Sequence, residues 1–354
     1  MTNSTPDAER FDSDLLEAGA VGYAAAAAML LLERHPETAA RFGDSAFRSW
    51  KGHLSHRSRQ LSGALLVAEP SLFAADVTWS QASFGFRDVP VEDLRASLEC
   101  LRDTLAEELP AASAERTTRY LEAALAALAE QAESPPALTP GRDRELALQF
   151  LEAAISGDRR RAIEAVLGAV DNGLTVAAAY TEVLAVAQRI AGDLWHQGDI
   201  SVPQEHCLTA TVRDVMALLA HQARRAEPRG LSALVAVAPG NAHEIAARAL
   251  ADLLEIDGWK AVNLGGTLPA SDLALALAQF EIDLLCLSIA LSTQLRGARA
   301  AIEAARAAKP GIKILVGGGV LPPAPELWRR LGADAGTVSL EKAVEVAAGL
   351  CAAD

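Results

Sequence analysis

Leu231-Ser-Ala-Leu-Val-Ala-Val-Ala-Pro239 is a short, nearly continuous apolar run, and helical spacing follows it over about 242–257. A run of that length, closed by proline and leading into a helix, reads as a strand buried on both faces with its crossover helix. The unit returns, because strand-like runs near 259–264, 282–290, 312–317 and 333–338 are each followed by a helical pattern. Five parallel strands with helices on both faces result, a flavodoxin-like (Rossmann-like) sheet over 231–350. Ligands of such sheets sit outside the carboxyl ends of the strands. That rim holds Pro239-Gly-Asn-Ala-His243, Leu264-Gly-Gly266, Ser288 and Gly317-Gly-Gly319.

Upstream, four helical patterns run over about 142–156, 159–171, 174–196 and 202–225, joined by short turns. Short connections mean antiparallel neighbours, so 142–226 reads as a four-helix bundle. Glu133-Ser-Pro-Pro-Ala-Leu-Thr-Pro-Gly141 breaks every helical pattern near it and is the linker, since its three prolines remove donors and fix φ. Before it, apolar spacing predicts helices over about 14–33, 45–68, 91–109 and 114–131, with Pro90 and Pro110 as boundaries. Residues 1–132 therefore read as an all-helical domain, and the fold class as α plus α/β.

With 354 residues, 51% of them hydrophobic, the chain can bury a real core. A net charge of −14 argues against a broad nucleic-acid or anionic-membrane surface. Cys100, Cys207, Cys286 and Cys351 lie far apart with no C-x-x-C spacing, which suggests neither a zinc module nor a disulfide framework and fits a reducing, cytoplasmic setting. The most apolar early stretch, Val21 to Leu32, is shorter than the roughly 20 residues of a membrane span, and its acidic leader lacks a positive n-region. Neither a signal peptide nor a transmembrane span is expected.

His243 falls just where a helix should begin above the sheet, and a ring nitrogen there can reach a ligand. Alone, it reads equally as a solvated polar residue of a helix start. It has company: 41 residues lie between Ala246 and Ser288, which closes the third strand, and 26 lie between Ala290 and Gly317-Gly318. The combination resembles the cobalamin-binding domain of the methionine-synthase type, with its acid-x-His-x-x-Gly, Ser-x-Leu and Gly-Gly pattern, over about 231–350. The resemblance implies His243 as lower cobalt ligand, Ser288 as contact to the displaced nucleotide base, and Gly317 and Gly318 as the channel for the nucleotide tail, with Gly265 bordering it. Asn241, Ala246 and Ala290 depart from the pattern. A neutral Asn241 raises the basicity of a metal-bound imidazole less than an acid would, which predicts weak or labile lower-face coordination.

In the bundle, Trp195-His196 is followed, after nine intervening residues counted from Trp195, by Glu205-His206. Gly198 and Ser201-x-x-Gln204 mark a helix stop and a capped restart between them. This resembles the Trp-x9-Glu-His signature of light-sensing cobalamin regulators of the CarH type, whose bundle covers the upper corrin face. The resemblance implies that Trp195, Glu205 and His206 line the pocket of an adenosyl group, and that His196 ligates cobalt after light breaks the cobalt–carbon bond. The opposing reading makes Trp195 a core residue and both histidines surface residues.

The first domain does not resemble the winged helix-turn-helix with which CarH-type repressors begin, so DNA binding is not expected. It concentrates Trp50, His53, His56, Arg57, Trp79, Phe84, Phe86 and Arg87 instead. Trp50, His53 and Arg57 share one helical face, suited either to a flat acidic chromophore or to packing against the neighbouring bundle. A cobalamin photosensor with a non-DNA helical domain resembles the photocobilin group, which implies biliverdin as a second chromophore beside adenosylcobalamin. Light-dependent assembly of a homo-oligomer, a separate downstream protein partner and no membrane association are expected. Two rival readings remain: a corrinoid carrier that hands methyl groups to partner enzymes, and a degenerate scaffold or redox or haem-type sensor using His35, His53 and His56.

Overall fold

A computed structural model describes residues 6–86, 89–130, 142–266 and 268–352; the linker 133–141 and Arg87 lie outside them. The chain divides into two compact units. The first is built on helices α1 (Pro6–Arg34), α2 (Pro36–Phe42), α3 (Ala46–Leu66), α4 (Pro70–Phe86), α5 (Val91–Glu108) and α6 (Ala111–Ala129). Pro90 and Pro110 do bound α5 and α6. Proline at the first turn is pre-organised for a helix, and acidic Asp7 and Glu9 with basic Arg34 complement the dipole of α1. That helix runs 29 residues, longer than its sequence spacing suggests, and by length and composition alone it could cross a membrane. Its inward stripe, Leu16, Ala20, Ala24, Ala27 and Leu31, is buried. Small side chains let α1 lie close on α3, where Ser13 and Ser62 exchange buried hydrogen bonds, Oγ to carbonyl, at 2.8 and 2.9 Å.

Helix α4 was not expected from spacing. Its small polar residues are distributed round the helix, so no apolar stripe stands out. Packing supplies the reason it forms: Leu72, Phe73 and Val77 are at most 2% exposed. Asp76 sits on α4 beside Arg57 of α3, which donates from Nη1 to the Asp76 carbonyl at 3.1 Å and to Gln60 Oε1 at 2.6 Å. Burial drives the Asp76 carboxyl up to about 6, while a hydrogen bond from Ser292 and the charge of Arg57 oppose the rise. Ser80, the remaining polar group here, donates to the Asp76 carbonyl. A carboxyl with a folded pKa above its unfolded value binds its proton more tightly when folded, so its stabilisation is present below about pH 4 and lost as pH rises through about 6. The expected ceiling is about 3 kcal/mol for a shift near two pKa units. Thermal unfolding from pH 4.5 to 7 should show a smaller loss of stability in Asp76→Asn than in the parent; parallel curves would contradict this.

The second unit holds α7 (Arg142–Ile155), α8 (Arg159–Asp171), α9 (Val176–Ala178) continuing through a π-helical turn Ala179–Leu184 into α10 (Ala185–Gln197), and α11 (Val202–Gln222). These are the expected bundle helices. The sheet follows: β1 (Ser232–Val237), α12 (Ile245–Ile256), β2 (Lys260–Asn263), α13 (Ala270–Gln279), β3 (Leu284–Ser288), α14 (Leu295–Ala308), β4 (Lys313–Gly317), α15 (Leu327–Leu331), β5 (Ala335–Thr337) and α16 (Leu340–Cys351). All pairs are parallel in the order β2-β1-β3-β4-β5. β1 is buried along its whole length, as its continuous apolar sequence predicts. All five strands belong to the second unit, but Leu291–Arg296 at the start of α14 and Pro322–Leu331, which includes α15, group with the first.

Bundle and sheet share a core, since Ala249 and Leu253 of α12 pack with Phe150, Tyr180, Leu208 and Val212 of the bundle. Tyr180 donates its hydroxyl to Asp252 Oδ2 at 2.8 Å, with the Met216 carbonyl 3.1 Å away. Tyr180 lies in the π-helical turn Ala179–Leu184, a feature that re-aims side chains at a local cost. Tyr180→Phe should destabilise the second unit by about 1–3 kcal/mol, because the half-buried Asp252 carboxylate loses its donor. Urea unfolding checks this, and a neutral outcome would make the pair incidental.

Candidate functional site

Strand register builds the rim. Val237 pairs with Ser288, Ser288 with Gly317, and Gly317 with Thr337, so four strand ends form one row. In the observed strand order the chain leaves β1 for β2 on one side and returns as β3 on the other, which opens a crevice between the carboxyl ends of β1 and β3. His243 follows β1 and Ser288 ends β3, on the two sides of that crevice.

Asn241 organises it. The residue is fully buried, its Oδ1 accepts from the His243 backbone N–H at 2.8 Å, and its Nδ2 donates to the Ser288 carbonyl at 3.3 Å. Those two contacts fix which end of the amide faces which way. His243 Nδ1 lies 3.0 Å from the same Oδ1, an atom that only accepts, so Nδ1 carries the proton and Nε2 carries the lone pair. The His243 side chain is exposed, with Nε2 free to meet a ligand above the sheet. The sequence argument about basicity missed this positioning role, whose partner lies 47 residues away.

Between β3, β4, β5 and the helices α12 and α16 runs a narrow cleft, lined by Ser288, Gly317, Gly318, Ala246, Thr337 and Leu340 among others. Its walls are mostly apolar. Gly317 faces it, and a Cβ there would stand 3.2 Å from the Thr337 carbonyl. Gly318 has a tighter reason to be glycine: its φ is +114°, and a Cβ would fall 2.2 Å from the Ile289 carbonyl. Gly265 is not among the residues lining this cleft; it turns the chain after β2, within 3.7 Å of Glu244 Oε2 measured from an added Cβ. Glu244 in turn takes Arg213 of α11 at 2.7 Å, which ties the bundle to the His243 loop.

At the other end of α11, Glu205 accepts from His206 Nδ1 at 2.8 Å and from Thr209 at 2.6 Å. Trp195 and His196 end α10, stopped by Gly198 in the left-handed conformation, and Ser201 with Gln204 caps α11 as its sequence predicts. Trp195 is 38% exposed and His206 is exposed, whereas His196 is 8% exposed and turned inward. Neighbours in sequence, Trp195 and His196 thus present opposite faces of the last turn.

In the first unit, Trp50, His53 and Phe84 pack on one another and Phe42 packs on Trp50, at ring separations of 5.1–5.9 Å; all the pairs are edge to face except the tilted Trp50–Phe84 pair. This face is interior to its own unit. Trp50 Nε1, His53 Nε2, Arg57 Nε and Gln81 Oε1 are buried there with no hydrogen-bond partner among the described residues. Burial and the charge of Arg57 push the His53 imidazole well below its ordinary value. His35 instead bonds Glu37 at the surface, and among the described residues no group of three or more His, Cys, Asp or Glu is set to hold a metal ion. His35 and His53 are thus in different settings, one at the surface on Glu37 and the other in the aromatic interior.

Residues 231–347 match the B12 binding domain family, and residues 146–220 match a second B12 binding domain family. A corrinoid protein of Desulfitobacterium hafniense strain Y51 is 24% identical over 206 residues, covering 56% of this chain and 94% of that protein. The HTH-type transcriptional repressor CarH of Myxococcus xanthus is 30% identical over 170 residues, covering 48% of this chain and just over half, 56%, of the repressor. In fold, the monomethylamine corrinoid protein of Methanosarcina barkeri superposes with a TM-score of 0.51 at 21% identity, over 58% of this chain and 98% of that one. The residues present fit such a cofactor, because the exposed His243, with Nδ1 turned to Asn241, would offer Nε2 to its metal. The narrow, mostly apolar cleft beside Ser288 would suit a flexible substituent. The bundle and the sheet thus each match a B12 binding domain family, which supports a cobalamin or other corrinoid cofactor.

Proposed function

We propose that the chain is a light sensor that holds adenosylcobalamin between bundle and sheet and switches domain packing or oligomeric state when its upper bond is broken. The cofactor supplies the photochemistry, a cobalt–carbon bond that visible light cleaves. The chain's own residues position it: His243 from below, with its tautomer set by Asn241, and the Ser288–Gly317 cleft for the nucleotide tail. The observation that carries the reading is the pair of helix ends, Trp195-His196 and Glu205-His206, which flank the Gly198–Ser201 turn with Trp195 and His206 accessible. A bulky aromatic beside polar groups suits an adenosyl ligand better than a small methyl group. His196 is turned inward, so service as a ligand after photolysis requires the last turn of α10 to rearrange, a local change able to bias two packed states.

Biliverdin as a second chromophore is supported by the orphaned polar atoms around Trp50, His53 and Arg57, which a flat molecule bearing carbonyl and carboxylate groups would satisfy. The output passes to a second copy of the chain or to a downstream protein rather than to DNA or a membrane, and the sensor needs no catalytic turnover. A methyl-carrier reading is favoured by one observation, that the match to the Desulfitobacterium corrinoid protein covers nearly all of that protein. One experiment separates them. Protein loaded with adenosylcobalamin and biliverdin is scanned in the dark and after green light, with sedimentation run in parallel. Irreversible conversion of the cobalamin band with a changed sedimentation coefficient is expected; a bound corrinoid indifferent to light, which passes a methyl group to a thiol, would establish the carrier. A far-red band absent from His53→Leu would locate the bilin.

A further inference from the structure

Two strips of chain that directly follow the rim of the sheet are built into the first unit. Leu291–Arg296 begins three residues after Ser288, and Pro322–Leu331 begins five residues after Gly317. Neither is a loose loop. Ser292 donates its Oγ to the Asp76 carboxylate, and its carbonyl lies so close to Gly63 that a Cβ on that glycine would stand 2.3 Å away. Arg296 reaches Ser13 at 2.7 Å and Asp14 at 2.5 Å. In the second strip, Pro323 accepts from Ser71 at 2.9 Å, and Arg330 donates to the carbonyls of Val67 and Ala68. Ala68 is held at φ +53°, a left-handed conformation rare for a residue with a side chain.

The rim side is equally fixed. The Ile289 amide donates to the Gly317 carbonyl at 2.8 Å, its own carbonyl accepts from Val320 at 3.2 Å, and Gly318 abuts it. Between Ile289 and Ser292 only Ala290 and Leu291 remain to absorb a shift of the Ser288 strand end. Packed interiors pass such shifts on rather than deform smoothly. The receiving cluster has alternative pairings, because Arg57 divides its donors among Gln60, Ser80 and the Asp76 carbonyl, and its Nε has no partner among the described residues.

We propose that the first unit reads occupancy of the Ser288–Gly317 cleft through these two strips, and that the Ser292–Asp76 hydrogen bond is the contact on which the coupling turns. The inference rests on assigning that cleft to the nucleotide tail of cobalamin. Coupling of this kind is reciprocal and commonly amounts to about 5- to 150-fold. The test is amide hydrogen exchange on the full chain, alone, with hydroxocobalamin, and with cobinamide, a corrin that lacks the nucleotide tail. Hydroxocobalamin is expected to slow exchange in α3 and α4 by about fivefold or more, the lower end of that coupling range, while cobinamide leaves it unchanged. Ser292→Ala should still bind hydroxocobalamin but lose the slowing, and its affinity for hydroxocobalamin, not for cobinamide, should fall by the same factor. Equal exchange with and without hydroxocobalamin, equal slowing by cobinamide, or full slowing in Ser292→Ala would overturn the coupling alone. Failure to bind either corrinoid would overturn the cofactor reading and the coupling with it.

Discussion

Replacing His243 by alanine is expected to abolish axial imidazole coordination, so that the bound corrinoid shows the absorption of a form without a nitrogen lower ligand and its affinity falls by at least tenfold. The argument starts from Asn241. Being fully buried and bonded to both the His243 backbone and the Ser288 carbonyl, it cannot turn its amide without leaving a buried donor or acceptor unpaired. The imidazole is thereby held with Nδ1–H toward Asn241 and Nε2 outward. Outer-shell partners of metal-bound histidines are worth about 10- to 100-fold in metal affinity, so Asn241→Ala should reproduce part of the His243→Ala loss. Asn241→Asp separates orientation from charge: it keeps an acceptor for Nδ1 but removes the donor to Ser288, placing a buried carboxylate against a carbonyl. We expect it to strengthen axial coordination while weakening the fold by about 1–3 kcal/mol, the cost of a buried carboxylate set against the Ser288 carbonyl, which keeps only its bond from the Ala238 amide. Nitrogen NMR of the ligand-free protein reads the tautomer independently of cobalamin. A dominant Nε2–H form there, or a His243→Ala protein with unaltered corrinoid absorption, would defeat this account.

How far the sequence alone reaches is clearest where burial is uniform. β1 is buried along its length, and its unbroken apolar run announces a strand of a two-sided sheet. α4 is concealed for another reason: buried Leu72, Phe73 and Val77 alternate with small polar residues and the exposed Trp79, so no stripe marks it. Polar positions are harder still. Ser292, Arg296 and Arg330 look like ordinary residues of helix starts and ends, yet they bind Asp76, Asp14 and Val67 across more than 200 positions of chain. Spacing has no access to partners so distant. The histidines divide in the same way: His243 stands at a strand end and is legible from topology, whereas the inward turn of His196 depends on the phase of the last turn of α10 and emerges only in three dimensions.

Gly318→Ala is expected to be the most damaging small substitution in the sheet, and to act on the fold rather than on the cofactor. Its φ of +114° is strained for any residue with a side chain, at about 1–3 kcal/mol. A Cβ would also stand 2.2 Å from the Ile289 carbonyl and under 3 Å from two more backbone atoms of that residue. Backbone cannot rotate away as a side-chain tip can, so β3 and β4 must separate where Ile289 bonds to Gly317, adding about 1–3 kcal/mol of overpacking. For a unit of this size the sum corresponds to a fall in Tm on the order of 10 °C in the ligand-free protein. Gly317→Ala provides the contrast. Its φ is ordinary and the nearest backbone atom, the Thr337 carbonyl, would be 3.2 Å away, so the fold should tolerate it. The added methyl instead narrows the cleft beside Ser288, and the loss should appear as weaker binding of hydroxocobalamin with little change for cobinamide. Equal Tm values for the two variants would show that Gly318 is not the steric pivot between β3 and β4.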